Sequence, residues 1–252
     1  MTYLTPPTLE LAKLLWFDTL KIAGLEGMNA NFSKEEIARA DKYAFPCSYN
    51  KPLQIARHTS LEFYDAGHIV GSALAKLDFH GKSLVYTGDF KDIGTRLHEK
   101  ADLSFGEVDY LVMESTYGDR EHPDRRKTEK TFLKTVEETL EDEGWAIVAA
   151  FAVGRSQELL DIVYEAGFDV PIYLDGMCKA ASEIYLKYPQ YLKDVNFLKK
   201  ALHHATWVKD HSIRKKALNN PAIVITTSGM LQGGPAMYYL KNLHHDRHSS
   251  II

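Results

Sequence analysis

The sequence predicts an α/β protein built in two parts, and three observations support this fold class. Residues 60–86 alternate apolar and polar side chains in three short runs, which is typical of an antiparallel meander. Residues 131–226 alternate continuous apolar runs with amphipathic helical patterns, which is typical of a parallel sheet covered on both faces. Between them, the charged, proline-containing run 119–130 is interpreted as an exposed linker and a domain boundary.

Two helices are predicted before the meander. Residues 5–8, TPPT, are a helix start, because threonine can cap the first turn and proline is tolerated in it; the apolar stripe that follows stops near Gly24. Ser33 and Glu36 stand three residues apart, which predicts a second helix opened by a capping box and ending before Pro46. Residues 9–45 are assigned a structural role only.

Three predicted strand ends in the first part carry a polar side chain, namely His68, Asp89 and Glu114. Taken singly, each has a structural interpretation: His68 as a hydrogen-bonded core histidine, Asp89 as a cap or turn residue, and Glu114 as a satisfied loop carboxylate. However, loops at strand ends are where a scaffold usually displays its ligands. Three such ends converge more naturally on one site than on three unrelated turns, so the pattern indicates a candidate site.

The second part is predicted to be a Rossmann-like three-layer unit. A helix over 131–143 leads to a strand over 145–151, a helix opening at 154–156, a strand over 171–174, a helix through Tyr188 and a strand over 222–226. Such sheets bind ligands beyond the carboxyl ends of their strands, here 153–155, 175–177 and 227–235.

Glycine-rich loops at these ends could hold phosphate oxygens through backbone N–H groups, with Arg155 adding a charge contact. Arg155 is equally well explained as a surface arginine that caps its own helix. Neither G-x-G-x-x-G nor G-x-x-x-x-G-K-[ST] follows any strand, so a nucleotide cofactor is only weakly indicated.

The composition excludes several classes of protein. With 45% hydrophobic and 25% charged residues, the chain has neither a disorder signature nor a membrane signature, and its first residues have no secretion pattern, so a cytoplasmic protein is expected. A formal net charge of −4 argues against a general electrostatic attraction to nucleic acid but leaves a local basic groove possible. Cys47 and Cys178 are expected to be reduced structural residues, and the histidine pairs near the end ordinary polar residues.

Six ordered motifs together resemble a known group of proteins: DAGHIVGSA, YTGDF, MESTYG, FAVGRSQELL, PIYLDGM and ITTSGMLQGGP. They are similar to the corresponding runs of the β-CASP group of the metallo-β-lactamase superfamily, best to RNA-processing members such as ribonuclease J and the nuclease subunit of the mRNA cleavage and polyadenylation machinery. The resemblance extends from about Thr5 to Ile252. It implies a partial metallo-β-lactamase αββα sandwich over residues 1–118, a β-CASP domain over 119–252, and an active site in the cleft between them.

The resemblance also implies roles for particular residues. His68 matches a zinc ligand, Asp89 the carboxylate that bridges two zinc ions, and Glu114 an acidic residue that orients a ligand histidine and assists proton transfer. The loop Ser228-Gly229-Met230 would hold the RNA backbone. In the family, two zinc ions activate a water that attacks an RNA phosphodiester, and homodimers are common.

The sequence departs from this pattern in its metal ligands. The H-x-H-x-D-H motif is absent, no His-x-His occurs in the 252 residues, and the two later histidines of the β-CASP set are also lacking. We therefore expect an internal segment or degenerate relative of such a nuclease, with an incomplete ligand set and an exposed sheet edge. Two functions follow as alternatives: a zinc-dependent ribonuclease, cutting internally or from the 5′ end, or a catalytically silent RNA-binding or scaffolding module. A hydrolase of small molecules is a weaker third.

Overall fold

The computed structural model describes all residues from 1 to 252, which form two compact units. The first unit comprises Met1–Thr116 with the short segment Lys187–Lys193, and the second comprises Tyr117–Leu186 with Asp194–Ile252. A single boundary near residue 118 would leave the segment Lys187–Lys193 in the second unit. In the structure this segment packs in the first unit, where the Tyr191 ring meets Tyr49 edge-on at 5.0 Å. No helix combines the length and the apolar character that crossing a bilayer would require.

The first unit has two α-helices, seven strands and a short 3-10 helix, Pro189–Tyr191. Helices α1 (Pro6–Glu26) and α2 (Lys34–Lys42) lie between strands β1 (Thr2–Leu4) and β2 (Ala44–Pro46), which pair in parallel. The predicted capping box opens α2, with Ser33 N–H donating to Glu36 Oε2 over 2.8 Å. Helix α1 runs two residues beyond Gly24 because glycine does not break a helix, and the chain leaves it at Gly27, whose φ is 66°.

The predicted meander lies at the centre of a five-stranded sheet in the order β3-β4-β5-β6-β7. Its strands are β3 (Leu53–Ala56), β4 (Thr59–Asp65), β5 (Ala73–Phe79), β6 (Lys82–Tyr86) and β7 (Tyr110–Val112). Strand β5 pairs antiparallel with both β4 and β6. Strand β7 pairs in parallel with β6 and is an exposed edge strand. One face packs Tyr64, Leu74 and Val85 into a buried cluster, because residues with period two share a face.

The second unit is an α/β unit around a parallel sheet in the order β10-β9-β11-β8-β12. Its elements are α3 (Arg125–Glu141), β8 (Ala146–Ala149), α4 (Arg155–Ala166), β9 (Ile172–Asp175), α5 (Cys178–Lys187), α6 (Val195–His204), β10 (Thr206–Trp207), α7 (His211–Lys216), β11 (Ile223–Thr226), α8 (Ala236–Leu243) and β12 (Ser250–Ile251). The predicted α/β class is therefore correct.

The topology distributes the helices of the second unit over both faces of the sheet. From β8 the chain moves to β9 and then to β10, and it returns through β11 to β12. Because parallel crossovers are right-handed, the reversal places α4, α5 and α6 on one face and α7 and α8 on the other. Packing agrees: Tyr164 of α4 contacts Phe197 of α6, whereas Ile213 of α7 and Tyr239 of α8 share one apolar cluster.

Two local predictions for the second unit were wrong or incomplete. Helix α3 begins at Arg125 rather than at residue 131, because Asp124 caps it by accepting from Lys127 N–H, so half of the presumed linker is helical. The elements α6, β10 and α7, within 188–221, were not predicted. Cys47 and Cys178 are both buried and free, as expected, and burial raises the pKa of the Cys178 thiol to about 12.

Candidate functional site

The three predicted site residues of the first unit follow strands that end at one edge of the same sheet. Strand β4 is antiparallel to β5, and β5 is antiparallel to β6, so β4 and β6 run in one direction; β7 is parallel to β6. The carboxyl ends of these three strands therefore lie side by side. His68, Asp89 and Glu114 each leave the sheet there, which explains how positions so far apart in sequence are brought together.

The loop that carries His68 is shaped by hydrogen bonds within a few residues, and bonds from Thr5 to the Gly71 carbonyl and from Lys91 to the Ala66 carbonyl anchor it to distant segments. Asp65, the last residue of β4, accepts from the Gly67 N–H over 2.8 Å. The Ser72 hydroxyl oxygen accepts from the N–H groups of His68 and Ile69, at 3.2 Å each. All three bonds belong to the turn chemistry of aspartate and serine, and they orient the backbone from which the His68 ring projects.

Gly67 is required by this loop for two reasons. Its φ is 65°, a backbone conformation that residues other than glycine adopt only with strain. A Cβ at this position would also lie 2.6 Å from the Glu99 carbonyl oxygen and 2.8 Å from the Ala101 nitrogen. The loop therefore lies directly against a second backbone segment, and a larger residue would displace it.

Glu114 fixes the loop that carries Asp89. Its Oε1 accepts from the N–H of Phe90, the residue after Asp89, over 2.9 Å. Its own N–H donates to the Thr87 hydroxyl at 3.3 Å, and the Thr87 N–H donates to the Val112 carbonyl at 3.0 Å. Strands β6 and β7 thus continue into two loops held together by hydrogen bonds, and Glu114 restrains the backbone beside Asp89.

His68 and Asp89 approach each other at this edge. The His68 Nε2 atom lies 4.0 Å from Asp89 Oδ2, and their side chains are 36% and 71% exposed, so both are open to a ligand. Hydrogen bonding to Thr116 and to the Phe90 N–H, with a contribution from His68, lowers the pKa of Glu114 below its ordinary value. Glu114 is therefore an ionised acceptor at neutral pH.

His68 and Asp89 lie at a distance that suits a shared zinc ion, but they supply too few ligands to complete a zinc site. Zn–N and Zn–O bonds of about 2.1 Å each let one ion reach two atoms roughly 4 Å apart, so the His68–Asp89 pair could share a metal. However, no group of three or more His, Cys, Asp or Glu side chains in the structure is arranged to hold a metal, whereas a catalytic zinc takes three protein ligands. The pair fits part of a zinc site and does not complete one.

The predicted strand ends of the second unit meet at one edge of the parallel sheet. A Cβ on Gly229 would lie 2.9 Å from the Ala150 carbonyl carbon, and one on Gly176 would lie 2.0 Å from Thr227 Oγ1. The loops after β8, β9 and β11 are therefore in close contact, and glycine is what permits it.

The candidate RNA contacts of this unit lie on these loops. Arg155 is the first residue of α4, with an exposed side chain. In the loop after β11, the Ser228 hydroxyl accepts from the Met230 N–H at 3.3 Å, and Met230 is 61% exposed. Gly229 is packed against the backbone of Ala150 and Phe151, just after β8.

Sequence reasoning missed a buried charged network at the end of β9. Asp175, fully buried, accepts from Arg214 Nε and Nη2 over 2.6 and 2.9 Å and from the Tyr239 hydroxyl over 3.0 Å. The hydrogen bonds to Asp175 raise the pKa of Arg214, and burial raises that of Tyr239, with the carboxylate adding to it. The only signal in the sequence was an aspartate ending an apolar strand; nothing local indicated its partners.

Comparison with known proteins matches residues 157–252 to the Beta-Casp domain. The chain is 38% identical over 250 residues to a protein named probable RNase MJ4 of Methanocaldococcus jannaschii, covering 96% of this chain and 58% of that protein. It is also 38% identical over 270 residues to the transcription termination factor FttA of Methanococcus maripaludis, covering 99% of this chain and 42% of that protein. The FttA of Methanosarcina mazei is 36% identical over 273 residues, with 99% and 42% covered.

The chain spans about half the length of the curated relatives it matches. The likeness covers nearly the whole chain, including the sheet that carries His68, Asp89 and Glu114. The domain match covers most of the parallel-sheet unit, including the loop after β11. The chain belongs to the β-CASP group of the metallo-β-lactamase superfamily, as the six motifs predicted.

Proposed function

We propose that this chain takes part in zinc-dependent hydrolysis of RNA phosphodiester bonds, with His68 and Asp89 as metal ligands. The observation that carries the proposal is the 4.0 Å approach of His68 Nε2 and Asp89 Oδ2 at one sheet edge, in two loops that are each held by their own hydrogen bonds. A relative named as a probable RNase supports RNA as the substrate. The relatives named as transcription termination factors support a role in RNA processing.

The chain's own residues would have distinct tasks in this reaction. His68, as a neutral imidazole, and Asp89, with two carboxylate oxygens, would hold the metal, which when bound polarises a phosphate oxygen and lowers the pKa of a water. Glu114 would position Asp89 through its bond to the Phe90 N–H. Arg155 and the loop Ser228-Gly229-Met230 would contact the RNA backbone.

A catalytically silent, RNA-binding β-CASP module is the second candidate. The observation that favours it is the lack of any group of three metal-binding side chains among the 252 residues. Both candidates predict RNA binding; only the first predicts that His68 and Asp89 bind metal. Metal binding is therefore the measurement that separates them.

Zinc binding to the 252-residue chain should be measured by equilibrium dialysis, with His68→Ala and Asp89→Ala as the test variants. We expect weak binding that each substitution abolishes, because two ligands hold zinc less tightly than three. His58→Ala is the matched control, since His58 lies on a turn of the same sheet and is exposed. If both variants still bind zinc as the parent does, His68 and Asp89 are not the zinc ligands.

Cleavage of a labelled RNA should then be compared between this chain and any longer form encoded by the same gene. In a form that cleaves, His68→Ala and Asp89→Ala are expected to reduce the rate by at least about a hundredfold while circular dichroism stays unchanged. RNA binding without cleavage in every form would favour the silent module. Full activity of either variant would contradict the assigned roles.

A further inference from the structure

The charge of this chain is unevenly distributed along its length. Residues 195–252 contain eight Lys and Arg against two Asp and no Glu, a formal net charge of +6, together with six of the eleven histidines. The first 194 residues contain 22 Lys and Arg against 32 Asp and Glu, a net charge of −10. A strong charge asymmetry of this kind indicates a polyanionic partner for the basic part.

Much of this positive charge lies on one face of the parallel sheet, on and beside α7 and α8. The two helices are joined through Tyr238 of α8, whose ring meets the His211 ring of α7 edge-on at 5.4 Å and lies 5.8 Å below the Arg214 guanidinium. We call the group formed by Lys209, His211, Lys215, Lys216, Tyr238 and Lys241 the α7–α8 surface. It combines exposed cations with aromatic rings.

The cations of the α7–α8 surface are not neutralised within the chain. Its four lysines are exposed and form no ion pair, whereas Lys13, Lys82 and Lys187 elsewhere each pair with a carboxylate. Two carboxylates lie nearest in sequence: Asp210 caps α7 by accepting from the Ile213 N–H, and Asp246 accepts from Ser249. Neither forms an ion pair with the four lysines, which outnumber them, so the surface keeps a net positive charge.

Helix α8 itself contains no acidic residue. The buried Asp175 is matched by Arg214, which therefore does not add a free charge to the α7–α8 surface. The uncompensated positive charge of this face thus comes from exposed lysines, which can reach a partner without breaking an internal bond.

We propose that the α7–α8 surface binds the phosphate backbone of single-stranded RNA, with His211 and Tyr238 as platforms for a base. This inference rests on the proposed function, because it assumes that RNA is the partner. Lysines on a shared face neutralise successive phosphates and release counterions. Aromatic rings between them suit an unpaired base, whose flat face stacks whatever its identity. The surface would hold RNA independently of any metal.

Binding of a short, unstructured, fluorescein-labelled RNA to the 252-residue chain should be measured by anisotropy at a series of KCl concentrations. The double variant Lys215→Ala/Lys216→Ala is expected to lower the affinity roughly 25-fold at about 0.1 M salt and to reduce the salt slope by about 1.4, since each phosphate contact contributes about 0.7. Lys241→Ala, on α8, should lower the affinity about fivefold by the same reasoning.

Lys199→Ala/Lys200→Ala is the matched control. These are also two adjacent, exposed, unpaired lysines, but they lie on α6, on the opposite face of the sheet. Their removal changes the net charge equally and should leave the affinity within about twofold. Circular dichroism checks that all variants fold.

The outcomes distinguish this inference from the proposed function. If both lysine pairs lower the affinity equally, or if Lys215→Ala/Lys216→Ala has no effect, the α7–α8 surface is not the RNA site, while the proposed function stands. If the unmodified chain binds no RNA even at low salt, both proposals fail.

Discussion

The two sheets of this chain hold their polar residues in opposite ways. In the antiparallel unit, the turn around His68 is shaped by residues two to four positions away, such as Asp65 with Gly67 and Ser72 with His68, although a bond from distant Thr5 to the Gly71 carbonyl also anchors the loop. In the parallel unit, Asp175 finds its partners Arg214 and Tyr239 at sequence separations of 39 and 64 residues. Local turn chemistry displays polar groups to solvent in the first case, and distant side chains bury a charge in the second.

This difference determines what each unit can tolerate. A loop built from short-range bonds depends on the backbone conformation of single residues, above all its glycines. A buried charge depends on every partner at once, because removing one leaves the rest desolvated without compensation. Three substitutions test this comparison.

The largest loss is expected from Arg214→Ala in the parallel unit. It leaves the fully buried Asp175 without its bidentate partner, which should lower the free energy of unfolding by about 4 kcal/mol. Urea denaturation measures the change, with Arg126→Ala, an exposed arginine of α3, as a control expected to stay within about 0.5 kcal/mol. If Arg214→Ala costs less stability than Gly67→Ala, the expected order of the two units is reversed.

Gly67→Ala, in the antiparallel unit, should cause the second-largest loss of the three substitutions. The positive φ and the 2.6 Å approach to the Glu99 carbonyl together are expected to cost about 3 kcal/mol. Gly81→Ala is the control, because Gly81 has a φ of 76° but open space around a Cβ, so only the backbone term of about 1 kcal/mol remains. Equal losses at the two positions would show that the close approach has no energetic weight.

The smallest effect is expected from Asp65→Asn, and it should depend on pH. Burial raises the pKa of Asp65 above its ordinary value of 3.8, so the folded state holds this proton more tightly than the unfolded chain does. The stability that Asp65 contributes in its protonated form is fully present below the pKa of the unfolded chain. It is lost as the pH rises through the higher pKa of the folded state. The asparagine keeps an oxygen for the Gly67 N–H and cannot ionise, so the variant should gain stability relative to the parent between acidic and neutral pH.

Thermal unfolding of parent and variant at a series of pH values measures this difference. A constant difference across the series would mean that Asp65 titrates normally. Asp65→Ala, which removes the acceptor as well, should be less stable than Asp65→Asn at every pH.

The sequence predicted the features that short-range patterns record. The meander was evident from alternation, the capping box from Ser33 and Glu36, and the parallel sheet from its apolar strands. The start of α3 was missed because Asp124 lies inside a charged run that resembles a linker, and α7 because its pattern is short and strongly basic.

The candidate site was predicted in part for the same reason. His68, Asp89 and Glu114 each follow a recognisable strand, so their convergence could be inferred from strand directions. The bond from the Phe90 N–H to Glu114 crosses 24 residues, and no local pattern records it. The same is true of Asp175, whose partners are fixed only by tertiary packing.

The position of β8 in the parallel sheet has a consequence for the order in which this unit folds. Strand β8 comes first among the five strands in the chain, yet it lies between β11 and β12, and Trp145 N–H donates to a Ser249 hydroxyl 104 residues away. Neither edge of β8 can pair until the later segments that contain β11 and β12 have been synthesised and have folded back onto it. During synthesis β8 would therefore remain an unpaired apolar strand for longer than any other part of this sheet, and it is there that a chaperone would be most needed.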